Sequence, residues 1–85
     1  MTDNLIWDEP IADEALDRTV DEYGTIRYYK KETKIYHRIN GPAVIYSNGN
    51  KFWYQNDLFH RLDGQAEELS DGDKYWWYKG EPIEC

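Results

Sequence analysis

Two seven-residue segments constrain this chain more than any other feature: His37-Arg38-Ile39-Asn40-Gly41-Pro42-Ala43 and His60-Arg61-Leu62-Asp63-Gly64-Gln65-Ala66. After each come a few mixed residues, a turn pair (Asn48-Gly49 or Asp71-Gly72) and an aromatic cluster, Phe52-Trp53-Tyr54 or Tyr75-Trp76-Trp77-Tyr78. Gly24, Gly49 and Gly72 are spaced 25 and 23 apart, and the aromatic pairs Tyr28-Tyr29, Trp53-Tyr54 and Trp76-Trp77 follow them at equal distances. A period of this size marks stacked supersecondary units, each with too little apolar surface to fold alone.

Within the units the pattern is that of strands and turns. Strands are expected near 25–30, 34–38, 43–47, 50–55, 58–61, 66–70 and 73–78, with a short tail strand near 82–84. Asn48-Gly49 and Asp71-Gly72 read as two-residue hairpin turns with positive φ at both centres. The longer first unit places its excess in Lys30-Lys31-Glu32-Thr33-Lys34, a hairpin tip. Pro42, having no N–H for a ladder, belongs at a strand start or an edge. Upstream, Leu5-Ile6-Trp7 reads as an edge strand or hydrophobic plug. Asp8-Glu9-Pro10 reads as a helix start. Ile11, Ala12, Ala15, Leu16 and Val20 share one helical face, and Asp13, Asp17 and Asp21 line another beside Glu14. The fold expectation is therefore mainly β: an antiparallel meander of MORN-like hairpin repeats capped by one N-terminal amphipathic α-helix from about Pro10 to Arg18 or Val20. The segments are 1–22, acidic with that helix, and 23–85, the repeat domain, with units 23–47, 48–70 and 71–85.

The formal net charge of −7 is unevenly placed. Residues 1–22 hold eight acids against Arg18 alone, whereas residues 23–85 hold nine acids and nine bases. A neutral body without a basic groove argues against direct nucleic-acid binding. It also lacks the cationic cluster that anionic lipid requires. No apolar run reaches membrane-spanning length, and the N-terminus is acidic where a secretory signal is basic and then apolar. The lone cysteine, Cys85, has no intrachain partner, which suits a reducing cytoplasm; a cytoplasmic location is expected, the host's if the chain is phage-encoded.

A unit that runs turn-Gly, Trp-Tyr, turn, His-Arg-x-Asp-Gly-Pro-Ala resembles short repeat proteins of bacteriophage and bacterial genomes, and more distantly the MORN repeat, a hairpin unit of similar period. The resemblance covers residues 23–80. It implies a β-hairpin array used for contact, with no catalytic signature to carry over. Gln65 in place of proline, the longer first hairpin and Ile83-Glu84 where a third His-Arg would fall imply a short, divergent array.

The residues with reactive side chains have ordinary structural uses. His37 and His60 would stack on adjacent units, but a zinc site needs three or four ligands and the chain is poor in them. Arg38 and Arg61 suit a phosphate or carboxylate, yet their recurrence with the unit favours a role in holding turns or stacking on aromatic faces. Each aromatic pair sends one ring to either side of its strand, with Tyr54 and Trp77 the expected outward members. Asp13, Glu14, Asp17 and Asp21 form an acidic stripe whose like charges four apart weaken a helix, so a partner-docking role is expected for them.

These features support a small non-enzymatic protein-binding inhibitor or adaptor. The expected setting is a phage-encoded protein acting on a host nucleic-acid-handling or defence protein of CRISPR type with a basic surface. Binding residues would be Asp13, Glu14, Asp17, Asp21, Tyr54 and Trp77; no cofactor, metal or membrane is expected. Two alternatives stand beside it. One is a sponge for a small signalling nucleotide, held by Arg38, Arg61, His37 and His60. The other is a structural, oligomerising β-repeat unit; for the chain in general both a monomer and a homodimer stay open.

Overall fold

The computed structural model describes residues 7–83, so Leu5, Ile6 and Cys85 lie outside the described residues. The strands are β1 (Leu16–Val20), β2 (Ile26–Lys30), β3 (Val44–Ile45), β4 (Lys51–Phe52), β5 (Tyr54–Gln55), β6 (Leu58–Phe59), β7 (Glu67–Glu68), β8 (Lys74–Tyr78) and β9 (Glu81–Ile83). Seven form one antiparallel sheet in the order β1-β2-β3-β4-β7-β8-β9, and β5 pairs with β6. The mainly β, antiparallel expectation holds. None of the described residues forms a helix long and apolar enough to cross a membrane.

Each unit is built on one extended run with two jobs. Its first half enters the main sheet and its second half turns into a hairpin. In the second unit the run is β4 and β5, interrupted at Trp53. The Trp53 N–H donates to the Ala66 carbonyl, and the Trp53 carbonyl accepts from the His60 N–H. Tyr28 does the same with Ala43 and His37, so the repeat seen in the sequence is a repeat of backbone pairing.

The expected N-terminal helix is absent. Residues 7–12 are an irregular strap, Asp13–Ala15 is a single 3-10 turn, and Leu16–Val20 is a strand paired along its whole length with β2. Two physical reasons favour the strand. As a helix the segment sets Asp13, Asp17 and Asp21 four apart in one like-charged row, which costs stability. As a strand it closes an Asp21-to-Thr25 hairpin with the same bonds as its neighbours: Gly24 N–H to Asp21 carbonyl, and Asp21 N–H to Thr25 carbonyl. Three-residue loops of this type place one left-handed residue after the turn. Gly24, Gly49 and Gly72 fill that place, at φ 88°, 99° and 100°.

That geometry also corrects the turn assignment. Asn48 and Asp71 do not take positive φ; the turns with two positive centres are the hairpin tips, Asn56-Asp57 at 54° and 69° and Lys79-Gly80 at 51° and 84°.

Directly opposed side chains of a sheet share a face. The register therefore aligns Arg27, Val44, Phe52, Glu67 and Tyr75 in one row, and Ile26, Ile45, Lys51, Glu68 and Lys74 in the other. Beside the first row runs a ladder of rings: Tyr29 to Tyr36 at 5.2 Å, Tyr36 to Tyr54 at 5.1 Å, Tyr54 to Phe59 at 4.6 Å and Phe59 to Trp77 at 4.8 Å. These separations lie within the range of favourable offset and tilted aromatic pairs. The buried centre is small and mixed: Leu16, Tyr28, Ala43, Val44 and Ala66 are buried together with Thr25, His37, Gln55 and His60. A core this thin depends on its polar members being satisfied.

Candidate functional site

The repeated heptad forms the side of the array opposite the ring ladder, and each of its residues has a recurring task. His37 Nδ1 accepts the Asn56 N–H at 3.0 Å, and His60 Nδ1 accepts the Lys79 N–H at 3.0 Å. Each histidine thus clasps the hairpin tip of the following unit. An Nδ1 that accepts a backbone N–H carries no proton, so both rings are the Nε2–H tautomer. Burial, reinforced by the Lys30 charge, pulls the His37 imidazole down to about 4, and it is neutral at pH 7.

The arginines close the loops that follow. Arg38 lies 4.0 Å over the Tyr28 ring and Arg61 4.0 Å over Trp53. Their Nη1 groups donate to the carbonyls of Pro42 and Gln65. The glycine of the motif makes room for this: a Cβ on Gly64 would sit 2.7 Å from Arg61 Cζ, and one on Gly41 3.1 Å from Arg38 Nη1. Ala43 and Ala66, wholly buried, admit no larger side chain without displacing their neighbours.

The acidic N-terminal segment packs on the repeat body, with Asp8 and Asp13 on the heptad residues and Asp17 and Asp21 bonded elsewhere. Asp8 accepts from His60 Nε2 at 3.0 Å and from Gln55 Nε2 at 3.1 Å, while its own N–H donates to Gln55 Oε1 at 2.8 Å. Trp7 packs 4.6 Å from the His60 ring. Asp13 takes Arg38 bidentately, Nη2 at 2.7 Å and Nε at 3.2 Å. That guanidinium holds the Asp13 carboxyl below its ordinary value. Asp17 accepts the Glu32 N–H, the main cause of its lowered pKa, and pairs with Lys31 at 3.3 Å. Asp21 pairs with Arg27 at 2.9 Å, which lowers its pKa, and accepts the N–H groups of Tyr23 and Thr25. Of the four acids assigned to a docking stripe, three are bonded to the repeat body. Glu14 is exposed in the 3-10 turn.

Tyr54 and Trp77 are not free outward rings either. Both are half-buried in the ladder; burial pushes the Tyr54 phenol up to about 12, and the Trp77 indole N–H donates to Glu67 at 3.1 Å. Arg61 is held by Asp63 and Glu68 at 3.0 Å each. Among the described residues no three His, Cys, Asp or Glu side chains converge as a metal site would require.

Two larger recesses remain. A groove of about 600 Å³ runs between the two heptad loops, walled by Arg38, Asn40, Trp53, His60, Arg61 and Asp8. A second, of about 710 Å³, lies at the β8–β9 end and is walled by Leu69, Tyr75, Trp76, Trp77, Pro82 and Ile83. Sequence reasoning overlooked Asp8 as the His60 partner and Tyr75, Pro82 and Ile83 as exposed groups. The alternation Tyr75-Trp76-Trp77-Tyr78 placed a ring on both sides of an end strand, and that was the available signal. Compared with protein-family models, curated proteins and solved structures, the chain matches none.

Proposed function

We propose that the chain is a small, non-enzymatic protein-binding inhibitor or adaptor whose contact surface is the β8–β9 end of the array. The observation that carries this is the apolar surface left open there. Tyr75, Tyr78 and Ile83 are 48 %, 39 % and 45 % exposed, and the groove beside them is lined by two tryptophans. Within the array, rings of this kind are covered by the next hairpin, as Tyr36 is by Tyr54 and Phe59 by Trp77. Large aromatics around a recess are the side chains that dominate binding energy in protein interfaces.

Electrostatics selects the partner. Asp71, Asp73 and Glu81 are exposed near this end, with Lys74 the cation among them. That balance favours a partner presenting lysine or arginine, and speeds its encounter. Proteins that handle nucleic acids carry such surfaces because they neutralise phosphates, so a host protein of that class fits best. The nucleotide alternative would need an anion to displace the carboxylates already on Arg38 and Arg61.

The test compares affinity capture by the wild-type chain with capture by Tyr75→Ser/Ile83→Ser and Asp71→Asn/Asp73→Asn/Glu81→Gln variants of unchanged circular dichroism. Loss of the same basic protein by both variants supports the proposal. Equal recovery by all three chains overturns it.

A further inference from the structure

Unit 2 displays how the heptad histidine is satisfied, and unit 1 contains the same arrangement with its last member missing. In unit 2 the Asp8 carboxylate accepts from His60 Nε2 and from Gln55 Nε2. Lys30 is the unit 1 residue at the position of Gln55, six residues after the turn glycine, and His37 stands at the position of His60. His37 is more than nine-tenths buried, at 7 % exposure. Its Nδ1 is taken by the Asn56 N–H. Its Nε2 proton has no hydrogen-bond partner among the described residues, and the residue lines a recess of about 340 Å³.

The recess is cationic and apolar at once. Lys30 and Lys31 line it with His37, and Pro10 and Ile11 form its apolar wall. The Lys30 ammonium gives one of its three protons to the Asn56 carboxamide. Lys31, on the exposed side, pairs with Asp17. Glu9 lies at the rim and is exposed. Where unit 2 offers a carboxylate two neutral N–H donors, unit 1 offers one neutral N–H and one ammonium. Both sets of bonds end on an ionised acceptor, but the ammonium adds a full opposite charge that a neutral amide N–H lacks, so the unit 1 pair is the stronger donor set for a carboxylate.

We propose that the His37–Lys30 recess is a carboxylate-binding site. One oxygen accepts from His37 Nε2 and the other from Lys30 Nζ, and a short apolar body lies against Pro10 and Ile11. The carboxylate belongs to a free small organic acid or to an acidic side chain, the chemistry being the same. The site shares no residue with the β8–β9 end, so the two proposals fail independently.

The experiment is a long-range proton–nitrogen NMR titration of the full chain at pH 7, reading both histidine rings. The probes are sodium isobutyrate, a blocked peptide with one glutamate, and its glutamine counterpart, with sodium chloride at matched ionic strength. A saturable shift at His37 Nε2 and the Asn56 N–H, with His60 unmoved, is expected for isobutyrate or the glutamate peptide. Which of those two binds identifies the source. Lys30→Gln, which copies unit 2, should weaken the binding about tenfold, as loss of one charge-assisted donor implies. No saturable shift up to about 0.1 M, well above the millimolar range a two-donor site reaches, overturns the proposal. So does an equal response to chloride or the glutamine peptide, an equal shift at His60, or unaltered affinity in Lys30→Gln.

Discussion

His60 and Asp8 are joined across 52 residues of sequence, the Nε2 proton of a fully buried ring given to a carboxylate that is partly open to solvent. Through that bond the acidic N-terminal segment becomes part of the repeat array. The other ring nitrogen holds the hairpin tip at Lys79, so one side chain ties the first and last parts of the described chain to the middle.

Asp8→Ala leaves the buried His60 Nε2 proton without its acceptor. An unsatisfied buried donor costs about 1–3 kcal/mol. Urea unfolding should show a loss of that size, whereas Glu14→Ala, at an exposed position, should change stability by less than about 0.5 kcal/mol. Equal effects of the two substitutions would contradict the clasp.

Stability should fall in acid in two stages. His37 has a folded pKa of about 4 against an ordinary 6.5. Between those values the unfolded chain binds a proton that the folded chain refuses, so stability rises with pH. Lowering the pH from 6.5 to 4 removes about 3 kcal/mol through His37 alone. Below that, protonation of Asp13, Asp17 and Asp21, whose folded values are lowered, removes more. In His37→Gln, whose side-chain oxygen can still accept the Asn56 N–H, the slope between pH 6.5 and 4 should flatten. A wild-type curve already flat there would refute the assignment.

Gly64→Ala drives a methyl group into the Arg61 guanidinium, 2.7 Å from Cζ, and should cost about 1–3 kcal/mol by overpacking. Trp53 fluorescence reports the displacement because Arg61 lies on its ring. In an Arg61→Ala background the penalty should largely vanish, a coupling that a double-mutant cycle measures. Additive losses would show that the glycine serves some other purpose.

Lys79 takes positive φ in a two-residue turn, at 51°, where asparagine is preferred. Lys79→Asn should therefore raise the unfolding midpoint, by roughly 0.5–1 kcal/mol in stability. Its N–H to His60 is a backbone bond and survives the change. A fall in stability would mean that the lysine's contacts with the Trp7 and Tyr78 rings outweigh the strain.

Much of the array was legible in the sequence because its cause is local. Gly24, Gly49 and Gly72 are needed at positive φ, and the heptad repeats because His, Arg, Gly and Ala each answer a demand that recurs with the unit. The misreading of Leu16–Val20 was also local. Ile11, Ala15 and Leu16 fit a helical face, while the presence of Gly24 in the turn series implied a strand before it, as before Gly49 and Gly72. Propensity competed with the repeat, and the repeat was the stronger constraint because the Gly24 hairpin lets all five residues of the segment pair with β2.

Sequence alone determined that residues 23–80 form repeated hairpins, that the aromatic pairs straddle them and that all net charge falls in the first quarter. Only the tertiary structure decided where that charge goes. An aspartate's nearest cation is set by chain packing across tens of residues, and nothing in the spacing of Asp8, Asp13, Asp17 and Asp21 names His60, Arg38, Lys31 and Arg27 as their partners. The same packing sets Asp8 on His60 and lays Pro10 and Ile11, with no acidic side chain of their own, beside His37.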